Sequence, residues 1–297
     1  MISIIVCSIN EINFHALSKN IQATVGVPFE IIRIDNSEDN SGICEVYNKG
    51  IGMAKYQLLC FVHEDILFNT SNWGKILADI FSNKEIGLTG IAGSCYYSLS
   101  PIGWFGLPEI ECNLVQQFKY KQHEEEHQTY SRFPGNIISE VVVVDGVFMA
   151  TRKDILAKNS FDEKHFPGFH GYDIDLSLQI GQHYKVIVTK NILITHFSEG
   201  KQDIAWQDAI KVISRKWFNH LPVYINSYLD KEIKILKIAS LNVFCLSAGS
   251  KISFIRRNFI ALFHAAKQGV LALWLKKILH YILKQFRKKE QNGFLYF

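Results

Sequence analysis

A glycine-rich phosphate loop is missing. Neither G-x-x-x-x-G-K-[ST] nor G-x-G-x-x-G follows the first apolar run, Ile2 to Val6. Without such backbone cradles, kinase, P-loop and dinucleotide-dehydrogenase chemistry lose their main support. No C-x-x-C pair occurs among the six cysteines (Cys7, Cys44, Cys60, Cys95, Cys112 and Cys245), which are widely spaced and mostly apolar in setting. This excludes a disulfide framework and a cysteine zinc site, and predicts reduced thiols in a cytoplasmic protein. The first residues lack the basic flank and apolar core of a signal peptide, so secretion is not expected. The longest apolar stretch near the C-terminus, Ile238 to Ala248, is broken by Ser240 and Asn242. It falls short of the ~18 to 20 residues that span a bilayer, so no transmembrane helix is expected. Internal repeats and low-complexity tracts are also absent.

What is there suits a globular chain: 297 residues, 48% hydrophobic and 20% charged, enough for one large domain or two smaller ones. Short apolar runs rich in β-branched residues, Ile2 to Cys7, Glu30 to Ile34, Gln57 to Val62 and Ile86 to Ile91, alternate with segments of helical spacing. Such alternation predicts an α/β fold, a mainly parallel sheet flanked by helices. Crossover helices are expected at Asn13 to Val25 and Ile43 to Lys55. A third, capped by Ser71, sets Trp73, Ile76, Leu77, Ile80 and Phe81 on one face. Residues 93–139 break this rhythm with Gly, Pro, aromatic and charged residues and read as a long excursion over the sheet. Strand character returns at Val141 to Val144 and Val147 to Thr151, followed by a helix at Asp173 to Gly181 and strands at Lys185 to Val188 and Ile192 to His196. From about residue 201 the chain reads as helices, with a boundary near Leu221-Pro222. A domain over 1–200 with a helical extension over 201–297 is therefore expected.

The stretch "CFVHEDILF", residues 60–68, interrupts an apolar run with a histidine and two carboxylates and then resumes it. Burying unpaired charge is costly, so such groups sit where a strand leaves the core or where they meet a cation. In open α/β sheets ligands bind beyond the carboxyl ends of strands. That rule selects Ser8-Ile9-Asn10, Asp35-Asn36-Ser37, His63-Glu64-Asp65 and Thr195-His196. Each alone fits ordinary capping and turn chemistry, and the four together point to a binding site.

The blocks "ISIIVCSIN", "EIIRIDNSEDNSG", "EVYNKGIGMAKYQLLCFVHEDILF", "VVVVDGVFMATRKDIL", "FHGYDIDLSLQIG" and "ILITHFSEGK" occur in an order that resembles the family 2 glycosyltransferases of the GT-A fold. The resemblance covers roughly residues 1–200. It implies transfer of a sugar from a nucleotide-diphospho-sugar donor to a glycan or lipid-linked acceptor, with Mn2+ or Mg2+ neutralising the leaving diphosphate. Asp65 stands where the family has the metal-binding aspartate of D-x-D, and His196 matches the histidine that closes the metal site. Asp35 is implied at the uracil or ribose, with Ser8 and Asn10 nearby and Asn48 beside the nucleotide. His63 departs from the pattern, standing where the first aspartate of D-x-D is common; imidazole can ligate Mn2+ or hydrogen-bond ribose or phosphate. The plain alternative for Asp65 is a cap in a buried turn.

On the acceptor side, Tyr172-Asp173-Ile174-Asp175-Leu176 resembles the family's E-D-x-D-L block and implies Asp173 as the catalytic base of an inverting transfer. Asp175, two residues on, points about 200° away on a helix and cannot enter the same site. An acidic helix N-terminus favoured by the dipole is the alternative for both. Asp145-Gly146 falls at the family's acceptor-side position, and a turn fits it equally. Ile213-Ser214-Arg215-Lys216-Trp217 lacks the Q-x-x-R-W spacing of processive synthases, so addition of one sugar is expected. A catalytically silent nucleotide- or glycan-binding module is the rival reading.

Two further signals compete. His123-Glu124-Glu125-Glu126-His127 fits the zinc-protease pattern H-E-x-x-H, but its neighbours give no apolar face to bury, and a solvated charge run explains it better. Residues 251–297 carry ten Lys and Arg against one Glu, leaving residues 1–250 acidic despite the overall charge of +4. On a helical wheel Lys276, Lys277, His280, Lys284, Arg287 and Lys288 oppose Leu271, Trp274, Leu275, Ile278, Ile282 and Phe286. That form suits peripheral contact with the inner face of a membrane, or packing on the catalytic domain with a wet basic face. No nucleic-acid module is recognisable, and no nucleic-acid partner is expected.

Overall fold

The computed structural model describes residues 1–39, 41–118, 125–198, 202–246 and 254–279. The chain opens with β1 (Ile2–Ser8), α1 (Glu11–Thr24), β2 (Phe29–Asp35), α2 (Ile43–Met53), β3 (Leu58–Val62), β4 (Ile66–Phe68), α3 (Trp73–Ile80) and β5 (Ile86–Gly90). Then come β6 (Ala92–Ser94), β7 (Tyr96–Tyr97), β8 (Ile110–Gln117), β9 (Glu125–Tyr130), β10 (Ile138–Val141), β11 (Val143–Val144) and β12 (Phe148–Arg152). The remainder is α4 (Lys153–Leu156), α5 (Tyr172–Ile180), β13 (Lys185–Thr189), β14 (Ile194–His196), α6 (Ile204–Lys216), β15 (Val223–Tyr224), α7 (Asp230–Leu246) and α8 (Phe254–Lys267). A further helical stretch covers 271–279.

Seven strands form the central sheet in the order β10-β13-β5-β12-β3-β1-β2. β2, β1, β3, β5 and β13 run one way, while β12 and β10 run against them, so the sheet is mixed and mainly parallel. β1 lies between β2 and β3 and feeds both faces. Ile2, Ile4 and Val6 join the cluster packed with α1 and α3, whereas Ile5 joins the one packed with α2 and α5. This two-sided burial is why the run reads as continuously apolar. Close packing also fixes Gly50 of α2, where a Cβ would lie 2.4 Å from Ile5 Cγ2.

Helix starts follow local capping chemistry. The Asn10 side chain accepts from the Ile12 and Asn13 amides, so α1 begins two residues before the expected Asn13. α3 is preceded by Asn72 in the left-handed region (φ 59°), with no side-chain cap, where Ser71 was expected to cap. The Asn72 amide instead donates to Thr24 O at 2.6 Å, which ties α3 to the end of α1.

The 93–139 excursion builds a second sheet, β11-β6-β8-β14-β4, with β9 paired to β8. The valine run is divided at Val142: β10 closes the central sheet against β13 and β11 joins β6 in the second. β14 runs antiparallel to β4 and parallel to β8, which stitches the late strand to the two early ones. His127 lies on β9 rather than on a helix, with its Nε2 3.0 Å from Asn113 Oδ1, and His123 and Glu124 lie outside the described residues.

The later helices share one continuous hydrophobic cluster with α2 and α5, through Ile210, Ile213 and Trp217, then Leu241 and Phe244, then Ala261, Ala265 and Trp274. A polar bolt joins α5 to α6. Asp175, 1% exposed, accepts from Trp217 Nε1 at 2.8 Å, from Lys216 Nζ at 2.8 to 2.9 Å and from Gln179 Nε2 at 2.7 Å. This carboxylate points away from Asp173, as the helical angle requires.

Candidate active site

Strand register brings distant residues to one edge of the sheets. His196 stands opposite Ile66 across the β14–β4 pair, and the Phe197 amide donates to Asp65 O at 2.9 Å. Val62 pairs with Phe148, and the His63 amide donates to Val147 O at 3.2 Å, which sets Asp145 and Gly146 beside His63. α5 begins after Gly171 (φ 88°) with Asp173 in its first turn. His63, Asp65, Asp145, Gly146, Asp173 and His196 all line one cleft of about 810 Å3.

At its centre, His63, Asp65 and His196 each offer a ligand atom within 4.8 Å of the others. Each imidazole has one nitrogen engaged. His63 Nε2 shares a hydrogen bond of 2.9 Å with the Tyr172 hydroxyl, and His196 Nδ1 lies 3.3 Å from Gln116 Oε1. The second nitrogen of His196, Nε2, is buried with no hydrogen-bond partner and stands 3.6 Å from Asp65 Oδ1, too far for a hydrogen bond. Two held rings beside a carboxylate, one of them with an unpartnered buried nitrogen, are a donor set that could hold a divalent metal. Burial pushes the His63 imidazole below its ordinary pKa against the pull of Asp65, so its neutral, ligating form prevails at neutral pH. Burial alone would raise the Asp65 carboxyl, but His196 and His63 outweigh it and hold it below the usual range.

Across the cleft, Asp173 is fixed by two amides: Gly146 N donates to Oδ2 at 3.1 Å and Ile174 N to Oδ1 at 2.9 Å. Enclosure by the protein, then the neighbouring charge of Asp145, push its pKa up to about 7 despite those amides. Asp145 is held in turn by Val147 N (2.9 Å) and Trp104 Nε1 (3.2 Å). Gly146 passes so close to Tyr172 that a Cβ there would lie 2.0 Å from the hydroxyl, so no side chain fits between the two acids.

Ser8, Asn10, Asp35 and Asn48 fall outside the cleft lining, whereas their neighbours Ile9 and Asn36, and Glu64, belong to it. Ser8 is buried and accepts from Arg33 Nε at 3.2 Å. Asn10 caps α1. Asp35 is exposed at the end of β2, next to the lining residue Asn36, and its carboxyl is held low by the Ser37 hydroxyl and amide. The Asn48 carboxamide donates to Phe161 O (2.9 Å) and Glu163 Oε1 (2.6 Å) and accepts from Phe161 N (3.2 Å), latching α2 to the loop before α5.

Sequence reasoning did not assign roles to Tyr172, Gln116 or Glu64, whose carboxylate accepts from the Ile9 and Asn10 amides at 3.2 and 3.1 Å. It also left out Trp104, Phe105 and Trp206, the last two stacked at 5.9 Å on the cleft wall. The signal available was the adjacent Trp104-Phe105 pair, flanked by Gly103 and Gly106, inside the excursion.

A mixed sheet whose strand ends enclose a His/Asp/His trio facing a helix-borne acid defines a GT-A type glycosyltransferase. The chain belongs to the glycosyltransferase-like family, whose model, described as "Glycosyltransferase like family", matches residues 3–217. No curated protein matches it by sequence. Among solved structures, TarS 1–349 of S. aureus superposes with a TM-score of 0.53 at 11% identity, covering 90% of this chain and 80% of that one, and shares the fold. GalNAc-T7, solved with UDP, GalNAc and Mn2+, gives a TM-score of 0.48 at 9% identity, with 96% of this chain spanning 57% of that one. A197 from STIV gives 0.37 at 13% identity over 67% and 86%.

Proposed function

We propose that the protein is an inverting glycosyltransferase that moves one sugar from a nucleotide-diphospho-sugar to a hydroxyl of a glycan or lipid-linked acceptor, in bacterial surface polysaccharide synthesis. The observation that carries this reading is the convergence of His63, Asp65 and His196 with the fixed acid Asp173 in one cleft. A divalent cation, Mn2+ or Mg2+, held by that trio supplies positive charge against the diphosphate leaving group. The cleft's own charge supports this need: its described lining includes Glu64, Asp65, Asp145, Asp173 and Asp203 and no Lys or Arg.

Asp173 takes the proton of the acceptor hydroxyl as that oxygen attacks the anomeric carbon from the face opposite the diphosphate, which inverts the centre. Its two amide bonds aim the carboxylate, and Asp145 with Gly146 shapes the acceptor side. Asp35, exposed beside Asn36, is assigned to the nucleoside. The stacked Phe105 and Trp206 offer an aromatic surface for an acceptor sugar face.

A panel of nucleotide-sugars incubated with the protein and Mn2+ tests the reading. The expected result is sugar release or transfer from at least one of them, stopped by EDTA. Nucleotide binding with no turnover of any donor would favour a catalytically silent module instead.

Peripheral membrane contact belongs to the same reading. Among the described residues no helix is long and apolar enough to cross a membrane. Exposed Phe259 and Phe263 on α8, together with exposed Lys276 and Lys277, support contact with an anionic surface. His280, Ile282, Lys284, Phe286, Arg287 and Lys288 lie outside the described residues. Trp274 is buried and donates to Asn242 Oδ1 at 3.0 Å, so a truncation that spares the core must keep residues through 279. A chain ending at 279 keeps Phe259, Phe263, Lys276 and Lys277 but loses Lys284, Arg287, Lys288 and Lys289, so it is expected to float more weakly with anionic vesicles; equal flotation of both chains sinks the idea.

A further inference from the structure

The charge of the acceptor follows from how the cleft holds its acids, an inference that rests on reading the cleft as a glycosyl-transfer site. We infer that it takes a neutral pyranoside stacked on Phe105 and Trp206, and refuses a sugar that bears a carboxylate or phosphate at C6.

One short turn ties the aromatic wall to the acids. Gly103 lets residues 104–106 lie against α6, because a Cβ there would be 2.8 Å from the Trp206 ring. Neighbouring side chains of that turn then do two jobs. Trp104 Nε1 donates to Asp145 Oδ2 at 3.2 Å, and Phe105 stacks on Trp206 at 5.9 Å with the rings 26° apart. Asp203 caps α6 by accepting from the Trp206 amide at 2.9 Å. The wall is thus joined to Asp145 through one residue and to Asp203 through another, and all of them line the cleft. Stacking uses the apolar C–H face of a pyranose and leaves its hydroxyls to donate to carboxylates.

Among the described residues, the partners of these acids are neutral. Asp145 accepts from the Val147 amide and the Trp104 indole, and Asp173 from the Gly146 and Ile174 amides. The His170 imidazole stands 3.7 Å from Asp203 Oδ1, and burial holds it below its ordinary pKa against the pull of Asp203, so it is uncharged at neutral pH. Asp175 on the same helix as Asp173 shows the contrast, with Lys216 directly on it. A divalent ion and a sugar diphosphate cancel each other's charge, so the loaded cleft keeps the negative sign of its own acids. Two of them already crowd each other: after enclosure, the charge of Asp145 is what lifts the Asp173 pKa to about 7. A third anion brought in on the acceptor meets the same repulsion, which selects against it as firmly as stacking selects for the ring.

The experiment gives the full chain Mn2+ and labelled nucleotide-sugars on immobilised glycosides in matched pairs: glucoside with glucuronide, galactoside with galacturonide, mannoside with mannoside 6-phosphate. Label is expected on a neutral member at about tenfold or more over its acidic partner. Asp203→Asn keeps a good helix cap while removing the charge, and is expected to narrow that ratio about two- to fivefold. Added KCl should narrow it too, by screening. Equal or greater label on the acidic member, or a ratio that moves with neither Asp203→Asn nor salt, overturns the inference. Donor hydrolysis with no label on any glycoside overturns it as well and leaves the donor reading standing. If no donor is consumed, the glycosyltransferase reading itself fails, and saturation-transfer NMR on the ion-free protein still reads the wall. Saturation reaching the neutral members above the acidic ones, and lost in Trp206→Ala, supports the pose; saturation of neither overturns it.

Discussion

Asp173→Asn is expected to slow sugar transfer by about 10²–10⁴-fold, the usual contribution of a positioned general base. Asparagine keeps the shape and can still accept from one of the two amides that hold Asp173, but it cannot take a proton. Donor binding should persist, because His63, Asp65 and His196, the proposed metal ligands, are untouched. The pH profile gives a second check. The Asp173 pKa stands at about 7, so the acid is protonated and idle below that pH and ionised above it. Activity is expected to rise with pH through about 7. A carboxyl raised this way also favours the fold while it is neutral and loses that contribution as pH climbs through its folded pKa. The variant should therefore be at least as stable as the parent at pH 8, so lost activity there cannot be blamed on unfolding. Full turnover by Asp173→Asn at pH 8 would remove Asp173 from the mechanism.

Glu111→Ala is expected to cost about 3–5 kcal/mol of stability, the range for breaking a buried charge network. Glu111 sits on β8 with no exposed surface. It accepts from the Ser131 hydroxyl (2.9 Å), the Arg132 amide (2.7 Å), the Phe133 amide (3.1 Å), the Ser139 hydroxyl (3.0 Å) and the Lys190 ammonium (3.0 Å). Removing it leaves these donors facing a void, with Lys190 keeping only Ser131 Oγ and Phe133 O. Melting should fall by roughly 6–15 °C in a protein of this size. Adding Lys190→Met should recover part of the loss, since the uncompensated charge goes with it. A drop below about 1 kcal/mol in denaturant titration would show that the hub is not what closes this side of the second sheet.

β1, β3 and β5 were legible because they are nearly uninterrupted by charge, and a strand buried on both faces leaves that mark; β2, an edge strand broken by Glu30 and Arg33, showed through its isoleucines. The grouping of His63, Asp65 and His196 was legible for the opposite reason: they are polar groups placed where apolar runs end. The second sheet was not. β4, β6 and β11 are two or three residues long, shorter than any window in which a period can be read. The valine run hid its break because Val141 ends β10 and Val143 begins β11, with no change of residue type to mark the change of partner. Tyr172 and Gln116 escaped because their roles come from contacts 109 and 80 residues away in the chain. Asn48 shows the converse: its place in a family block implied a nucleotide contact, while its carboxamide is fully used within the fold.

The Asp175 bolt has an outcome for how this enzyme can diversify. Through Lys216 and Trp217 it ties α5 to α6, with Asp173, the proposed base, on the first helix and Trp206 on the second. Side chains along the outer turns of α6 can change without tilting the base. New acceptors are thus open to mutation at the rim while the chemistry beneath stays aligned.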